Sequence, residues 1–406
     1  MMHGSFLTLP CKKAAHCSSQ KPRSQRKILS LETLEERLAP AIIQAVSLAD
    51  PSLYAVSATG FVNTNIRGTP LSNDGQFLAF EGDYNLLPNE NNNTSDVFLR
   101  NLSTGTTSLI SVTPSGVDGN AASQNPVITA NGRYVAFESY ATNLVSGLTV
   151  SGENVYVRDT QMNTTTLVSV NSAGTGSGNG DSADPVISAD GRYVAFDGFA
   201  TNLVNGLPIS GNNVYVRDLV AGTTTLVSVN QAGTGSGNNG SASPVLTPDG
   251  RYVAFQSFAS NLVAGDTNNT QDVFVRDLQT GTTSLVSVNS AGTASGNSLS
   301  ETPLISADGR YLAFDSLATN LVNGVTVSHN NVYLRDRTGG TTTLLSVSSA
   351  GSGAGNNDSY LWSISADGLH VACVTCQMFA KGLPRLGSGP ASLSGADDAG
   401  KDARFG

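Results

Sequence analysis

Short apolar runs and turn residues follow one another in a fixed order along most of the chain. In the unit near residue 200, an apolar run ends at Asp190-Gly191, a dipeptide typical of tight turns, and a second, strongly apolar run follows. A third apolar run and a run rich in β-branched residues come next, as expected for strands. The predicted strands are Pro185–Ser188 (a), Arg192–Phe196 (b), Asn213–Arg217 (c) and Thr224–Val229 (d).

This unit is repeated along the sequence. Its turn glycine recurs at an interval of 57 and then four intervals of 59 residues, at Gly75, Gly132, Gly191, Gly250, Gly309 and Gly368. The arginine near the end of strand c recurs at Arg100, Arg158, Arg217, Arg276 and Arg335. Six units therefore begin, and five of them are complete.

The apolar character of strand b indicates how the units pack. Because Tyr193, Val194, Ala195 and Phe196 are consecutive, this strand needs cover on both faces, which one small sheet cannot provide. Repeated four-stranded sheets that stack around an axis form a β-propeller. The sequence therefore predicts an all-β fold, a six-bladed propeller of four-stranded antiparallel blades. A linear β-solenoid is the alternative, although its repeats are usually shorter and lack internal hairpins.

The two ends of the repeat region predict how the ring closes. The last unit supplies strand a (Leu361–Ser365) and strand b (Leu369–Val374) without a clear strand c or d. The N-terminal stretch Leu53–Ser57 has the position of an unpaired strand d. We expect the incomplete sixth blade to be closed by this N-terminal strand, which would hide exposed strand edges.

The repeated segments "SADGRYVAF", "NVYVRDL" and "TTTLVSV" resemble the TolB-type (PD40, WD40-like) propeller blade, from residue 53 to about residue 375. The resemblance implies the propeller fold. It is nearly silent on function, because such blades occur in periplasmic scaffolds, peptidase gating domains and surface proteins. The chain departs from that family in its long Gly/Ser/Asn loops and in its last blade.

The sequence divides into three regions, at residues 1–41, 42–375 and 376–406. In the first, Leu31–Ala41 resembles a bacterial leader pattern, LExLExRxxPA, that precedes large surface proteins, and this resemblance implies export. The alternative is a short amphipathic helix that ends at Pro40. The second region is the propeller. The third is rich in Gly, Ala and Ser, so we predict disorder there, after a truncation or frame change in the gene.

Charge and hydropathy exclude two classes of partner. Residues 1–41 hold seven basic and three acidic residues, so of the total charge of −9 the remainder carries −13. An acidic body repels phosphate backbones, and we expect no nucleic acid as a partner. No apolar run approaches the ~20 residues that a membrane helix needs, so we expect no membrane span.

Candidate catalytic residues are few. The four histidines (His3, His16, His329 and His370) are far apart in the sequence. The pair Cys373-x-x-Cys376 lacks the second cysteine pair of a metal site, so we interpret it as accidental. We therefore predict that the chain is not an enzyme. Carboxylates recur just after strand b, at Glu81, Glu138, Asp197 and Asp315. In the fourth unit Gln256 stands at the same place. We interpret them as caps of the b–c loop rather than as a catalytic pair.

One b–c loop has the spacing of a cation-binding turn. Oxygen-bearing side chains occupy alternate positions at Asp266, Asn268, Thr270 and Asp272, as in loops that bind hard cations. The first unit has a weaker copy in Glu90, Asn92 and Asp96. Calcium is therefore the one candidate cofactor, with a dissociation constant of about 10⁻⁴–10⁻³ M as in extracellular modules. The alternative is an Asx-turn without an ion.

The loops predict a binding face. Strands alternate in direction, so the long b–c and d–a loops lie on one face, together with Tyr140, Phe199 and Phe258. We expect an exported, non-catalytic binding or scaffold module at the cell surface, a monomer, whose partner is a protein or glycan of the cell envelope. The alternative function is an accessory or degenerate propeller of a glycosidase or peptidase.

Overall fold

The computed structural model describes residues 62–63, 70–83, 86–87, 90, 93–348, 353–374 and 379–380. These residues belong to one compact unit, Val46–Gly406. They form six antiparallel sheets and include no helix, so the prediction of an all-β fold is confirmed. Residues 1–41 and the predicted closing strand Leu53–Ser57 lie outside the described residues.

The first five sheets, blades 1 to 5, each contain four strands in chain order. Blade 1 consists of β1 (Val62–Asn63), β2 (Phe77–Asp83), β3 (Ser95–Asn101) and β4 (Thr106–Leu109). Blade 2 consists of β5 (Ser123–Ile128), β6 (Tyr134–Ser139), β7 (Asn154–Asp159) and β8 (Thr164–Leu167). Blade 3 consists of β9 (Ser182–Ile187), β10 (Tyr193–Gly198), β11 (Asn213–Asp218) and β12 (Thr223–Leu226).

Blades 4 and 5 repeat this arrangement. Blade 4 consists of β13 (Ser241–Leu246), β14 (Tyr252–Ser257), β15 (Asp272–Asp277) and β16 (Thr282–Leu285). Blade 5 consists of β17 (Ser300–Ile305), β18 (Tyr311–Ser316), β19 (Asn331–Asp336) and β20 (Thr341–Leu344). The sixth sheet has three strands, β21 (Tyr360–Ile364), β22 (His370–Val374) and β23 (Phe379–Ala380).

Strand a of each blade is the innermost strand. The a strands of consecutive blades contact one another, β5 with β9, β9 with β13, β13 with β17 and β17 with β21. Strands b and c form the core between blades, where Phe196 on β10 and Tyr215 on β11 are fully buried and stack with ring centroids 5.6 Å apart. An equivalent stacked pair recurs in every complete blade, as Phe–Tyr in blades 2 and 5 and as Phe–Phe in blades 1 and 4. These sheets are the blades of a six-bladed propeller, as the sequence predicted.

The turn glycines are required for two reasons. Gly191 has a φ of 76°, a left-handed conformation that glycine adopts without strain. A Cβ atom at this position would also collide with the ring of Tyr134, which begins strand b of the preceding blade. The turn of each later blade thus rests on an aromatic side chain of its neighbour, which explains the regular spacing of these glycines.

The carboxylates after strand b join neighbouring blades. Glu138 accepts a hydrogen bond from the backbone N–H of Asp184 at 2.6 Å, across the interface between blades 2 and 3. The equivalent bonds run from Ser243 to Asp197 (2.9 Å), from Thr302 to Gln256 (3.0 Å) and from Leu361 to Asp315 (2.9 Å). We call these four bonds the interblade clasps. The interpretation of these side chains as caps of the b–c loop did not identify this role.

A bulge in strand a presents the donor in three of the four clasps, those of Asp184, Ser243 and Thr302. Asn125, Asp184, Ser243 and Thr302 have φ between 51° and 54°, and each precedes a proline. The pairing of strands a and b shifts at this point in blades 2 to 5. A left-handed residue is uncommon outside glycine, so its recurrence indicates that the bulge is built into the repeat.

The sixth sheet contains more than the sequence predicted. Its third strand, Phe379–Ala380, comes from the segment predicted to be disordered and pairs with His370 and Val371 of β22. Cys373 in β22 is disulfide-bonded, whereas Cys376 lies outside the described residues. Strand a of blade 1 is Val62–Asn63, which pairs with Glu81 and Gly82.

Candidate functional site

The predicted binding residues lie together on the face of the b–c and d–a loops, which we call the loop face. Tyr140, Phe199 and Phe258 directly follow strand b of blades 2, 3 and 4, and their exposed fractions are 45%, 61% and 48%. Leu317 has the same place in blade 5 and is 43% exposed. The sequence analysis missed Leu317, although its spacing of 59 residues from Phe258 was the signal. We call these four side chains the apolar rim.

Backbone hydrogen bonds place the apolar rim beside the start of strand a. The N–H of Phe199 donates to the carbonyl of Asp181 at 2.9 Å, and the N–H of Phe258 donates to the carbonyl of Gly240 at the same distance. Because strand a is the innermost strand, the rim residues stand near the axis of the propeller. Four consecutive blades therefore present one large apolar side chain each, at equal intervals around that axis.

Hydrogen bonds between the two loops of each blade hold the loop face rigid. In blade 3, the Asn179 side chain accepts a bond from the backbone N–H of Thr201 at 2.7 Å and donates to the Thr201 hydroxyl at 2.9 Å. The side chain of Asn202 in turn accepts the N–H of Asn179 at 3.0 Å. Equivalent bonds occur in blades 2, 4 and 5. The amide groups are thus occupied within the protein, and the rim stands on a fixed base.

Blade 2 adds an acidic group to the rim. Glu153 is bonded by the side-chain amide of Gln124 at 3.0 Å and lies close to Tyr140 and Asp181. Burial raises the pKa of the Glu153 carboxyl, and the Tyr140 hydroxyl opposes this shift. Burial and the charge of Glu153 raise the pKa of Tyr140. The tyrosine therefore keeps its proton, and this sector of the face is acidic.

A cavity of about 440 Å³ lies between the innermost strands. Bulge residues of several blades and the only tryptophan, Trp362, line it. Trp362 is 58% exposed, and Gln256 and Glu301 add polar groups to the wall. Sequence reasoning missed this axial cavity. The available signal was the proline that recurs five residues before the Asp/Asn-Gly turn in blades 2 to 5, which marks the bulge.

Of the predicted calcium ligands of blade 4, Asp266 and Asp272 are close together and buried, whereas Asn268 and Thr270 are partly exposed. Asp272 is fully buried and Asp266 is 6% exposed, and each carboxyl affects the pKa of the other group. Asn268 Oδ1 accepts the N–H of Thr270 at 2.9 Å, so the alternative expectation, an Asx-turn, is also present in this loop. The described residues contain no group of three or more His, Cys, Asp or Glu side chains suited to a metal.

The copy in blade 1 differs. Glu90 accepts the backbone N–H groups of Leu86 and Leu87 at 3.1 and 2.5 Å. Asp96 accepts the hydroxyl of Ser111 at 2.6 Å. Asn92 lies outside the described residues. The carboxylate of Glu90 is therefore used to shape its own loop.

Two carboxyl groups with shifted pKa values hold blades together. Burial raises the pKa of Glu138 to about 7 and that of Asp315 to about 7. Both groups accept interblade clasps and lie in different blades. Of the histidines within the described residues, His329 lies 3.9 Å from Asp358 and His370 lies 3.9 Å from Asp367, in separate sheets.

Comparison with known proteins finds no matching protein-family model and no matching curated protein. Among solved structures, the chain is similar to TolB from Acinetobacter baumannii, at 16% identity over 68% of this chain and 53% of that chain, with a TM-score of 0.37. This chain therefore spans about half the length of that TolB. A TolB is thus among the similar structures, as the resemblance of the blade sequence predicted.

The similar structures also include enzymes. A puromycin-hydrolyzing peptidase from Mycobacterium tuberculosis is 16% identical over 68% of this chain and 38% of that chain, with a TM-score of 0.40. An oligogalacturonate lyase in complex with manganese is 11% identical over 70% of this chain and 78% of that chain, with a TM-score of 0.34. The prediction that the chain is not an enzyme is therefore wrong as it stands, and we withdraw it.

These likenesses concern the fold alone, because the identities are low. The assignment of the propeller rests on the strand order and register of the six sheets. Within the part of the chain that the structure describes, no helix has the length and apolar character needed to cross a bilayer.

Proposed function

We propose that the chain is an exported binding or scaffold propeller that docks a protein of the cell envelope on its loop face. The observation that supports this most is the apolar rim, because Tyr140, Phe199, Phe258 and Leu317 are all large and between 43% and 61% exposed. Large apolar side chains that are exposed at the same place in consecutive blades favour a binding surface for a partner. Aromatic side chains are also frequent anchors of protein interfaces.

The rigid base of the rim favours binding. Because the Asn179, Thr201 and Asn202 groups already bond to one another, little conformational freedom is lost when a partner docks. The same bonds occupy the Asn179 side-chain amide and the Asn202 Oδ1 atom, which could otherwise bind the hydroxyl groups of a glycan. A protein partner therefore fits the loop face better than a glycan does. The charge of the chain, −9 in total, favours a partner surface with basic residues.

The test is capture of partners from a cell-envelope extract by the full chain and by a Phe199→Ser, Phe258→Ser double variant. We expect the double variant to bind the captured protein at least about tenfold more weakly, because two central anchors are lost. The matched control is Val220→Ser. Val220 is 77% exposed but lies in the c–d turn, on the opposite face, so this variant should bind normally.

Equal capture by the double variant and the unchanged chain would contradict the proposal. Binding on a glycan array, lost in the same double variant and without a captured protein, would assign the rim to a glycan instead. Fractionation of cells that express the full chain tests the export part of the proposal.

A further inference from the structure

The first residue of strand c carries an amide in some blades and a carboxyl group in blade 4. In blades 2, 3 and 5 it is an asparagine, namely Asn154, Asn213 and Asn331, and in blade 4 it is Asp272. In each of these four blades, the Oδ1 atom accepts a bond from a buried serine hydroxyl, at 2.6 to 2.9 Å. The four side chains are therefore held in the same position at the base of the b–c loop.

The second atom of this side chain faces the loop. Asn213 Nδ2 donates to the carbonyls of Ser210 and Gly211 at 2.9 and 3.0 Å, and Asn154 Nδ2 makes the same two bonds in blade 2. The NH₂ group of each of these two amides thus supplies two partly positive hydrogens to backbone carbonyl oxygens of the b–c loop. Asp272 has an oxygen in place of that NH₂ group and has no hydrogen to donate.

The loop of blade 4 thus lacks a positive group that its neighbours have. Asp272 Oδ2, both carboxyl oxygens of Asp266 and Thr270 Oγ1 are buried without a hydrogen-bond partner. Asp272 is completely buried and Asp266 is more than nine-tenths buried. The carboxyl groups of Asp266 and Asp272 lie close enough to affect each other's pKa, and a buried oxygen without a donor or a cation is costly.

The sequence of this loop provides no compensating charge. Residues 258–272 contain no Lys, Arg or His. Burial, together with the charge of Asp266, raises the pKa of Asp272 to about 7, and burial raises the pKa of Asp266 as well. A divalent cation bound between the two carboxyl groups would remove this penalty.

We propose that the b–c loop of blade 4 binds a hard divalent cation, Ca²⁺ in preference to Mg²⁺, through the side-chain oxygens of Asp266, Thr270 and Asp272. Carboxylate and hydroxyl oxygens without nitrogen or sulfur ligands suit a hard cation, and an irregular loop suits the variable coordination of calcium better than the strict octahedral geometry of magnesium. Asn268 positions the turn through its bond to the Thr270 N–H. Two carboxylates predict weak binding, with a dissociation constant of about 10⁻⁴–10⁻³ M.

Among the b–c loops as far as the structure describes them, the buried Asp266–Asp272 pair occurs in blade 4, whereas blade 1 has Asp96 at the place of Asp272. In blade 1 the carboxylate of Glu90 is bonded to two backbone N–H groups of its own loop. In blade 3, Leu207 stands where Asp266 stands in blade 4. We therefore expect one calcium ion for each chain.

Calcium at this place would fix part of the loop face. The loop is bonded to the following d–a loop by Thr267 N–H to Ser295 Oγ at 3.1 Å and by Asn268 Nδ2 to the carbonyl of Gly296 at 2.7 Å. The ion would therefore order the connection between blades 4 and 5, next to Phe258 and Leu317 of the apolar rim.

The test uses the purified full chain, freed of metal, with CaCl₂ or MgCl₂ added at constant ionic strength. Calorimetric titration should show one calcium site, and 10 mM CaCl₂ should raise the Tm by about 2–6 °C, more than MgCl₂ does. Asp272→Asn copies the side chain of blades 2, 3 and 5. This variant should lose the calcium response, and without calcium its Tm should equal or exceed that of the unchanged chain.

The matched control is Asn213→Asp in blade 3, which places a carboxylate at the same position without a second acid. It should lower the Tm and bind no additional calcium. Asp266→Asn is a second variant, and it should also lose the calcium response.

Two results would overturn the proposal. One is a Tm that calcium leaves unchanged while stability falls as the pH rises from about 4 to about 7, which would show that Asp266 and Asp272 share a proton. The other is a calcium response that persists in both Asp272→Asn and Asp266→Asn, which would place the ion elsewhere.

Discussion

Blade 3 and the sixth sheet share the same turn sequence, but the strands that follow the turn differ in how deeply they are buried. Both have the turn Ser-Ala-Asp-Gly, and in both the glycine N–H donates to the serine carbonyl, at 3.0 Å for Gly191 and 2.9 Å for Gly368. The next strands then differ. Val194, Ala195 and Phe196 of β10 are fully buried, whereas β22 alternates between exposed and half-buried residues.

The difference comes from the neighbours of each strand. The strand β10 pairs with six-residue strands on both sides, and blade 4 covers it. Within the residues that the structure describes, the strand β22 has the two-residue β23 on its outer side. Arg192 in blade 3 also bonds to Asp218 at 2.7 Å, whereas Leu369 stands at that position in the sixth sheet. The turn is thus encoded locally, but burial depends on the blade that follows.

The largest effect is expected from core truncation in a complete blade. Phe255→Ala removes a fully buried ring that stacks on Phe274 at a centroid distance of 5.8 Å, and it should lower the free energy of unfolding by about 3–5 kcal/mol. Val371→Ala in β22, where the side chain is only half-buried, should cost less than about 1 kcal/mol. Denaturant unfolding of both variants measures the difference. Similar losses for the two would mean that the sixth sheet is as well packed as blade 4.

The interblade clasps offer an intermediate test. Glu138→Leu leaves the N–H of Asp184 without its acceptor between two complete blades, which should cost about 1–3 kcal/mol. Asp315→Leu removes the clasp to the sixth sheet, and we expect a smaller loss because less buried structure depends on it. Glu138→Gln should be nearly neutral, since Gln256 already forms this bond in blade 4. A loss in Glu138→Gln as large as in Glu138→Leu would show that the charge, rather than the bond, matters.

The variant Glu138→Gln should also change how the stability of the protein depends on pH. Burial raises the folded-state pKa of Glu138 from its ordinary value of 4.5 to about 7, so the folded protein holds a proton that the unfolded chain releases. This group stabilises the fold below its unfolded pKa, and the contribution is lost as the pH rises to about 7. Glu138→Gln should therefore flatten the fall in stability between pH 4.5 and 7. An unchanged slope would mean that Glu138 is ionised throughout this range.

The smallest effect concerns the bulge of strand a. Thr302 is β-branched and has a φ of 54°, a conformation that Asn125 adopts with less strain at the same place in blade 2. Thr302→Asn should therefore raise the free energy of unfolding by about 1 kcal/mol. In the sixth sheet, Leu361 at the equivalent place pairs regularly with Cys373, so Leu361→Asn should not stabilise the protein. A stabilisation in both variants would mean that strain at the bulge is not the cause.

The sequence predicted the elements that depend on neighbours along the chain. The Asp190-Gly191 turn and the strands on either side of it follow from local residue types, and all of them are present. The clasps could not be predicted in this way, because Glu138 and Asp184 are 46 residues apart and the donor is a backbone N–H without a sequence signal. The candidate cation ligands of blade 4 were identified from their spacing, and of these the structure brings Asp266 and Asp272 together. That spacing could not show that Glu90 in blade 1 is bonded within its own loop.

The backbone origin of the clasp donor has a consequence for how this protein can evolve. The donor residues Asp184, Ser243, Thr302 and Leu361 have different side chains, since only their N–H groups are needed. The same residues line the axial cavity. A substitution at one of these positions can therefore change the side chains that line the cavity while the hydrogen bond between the blades is kept. New binding or catalytic groups could thus arise at the axis of the propeller with little loss of stability.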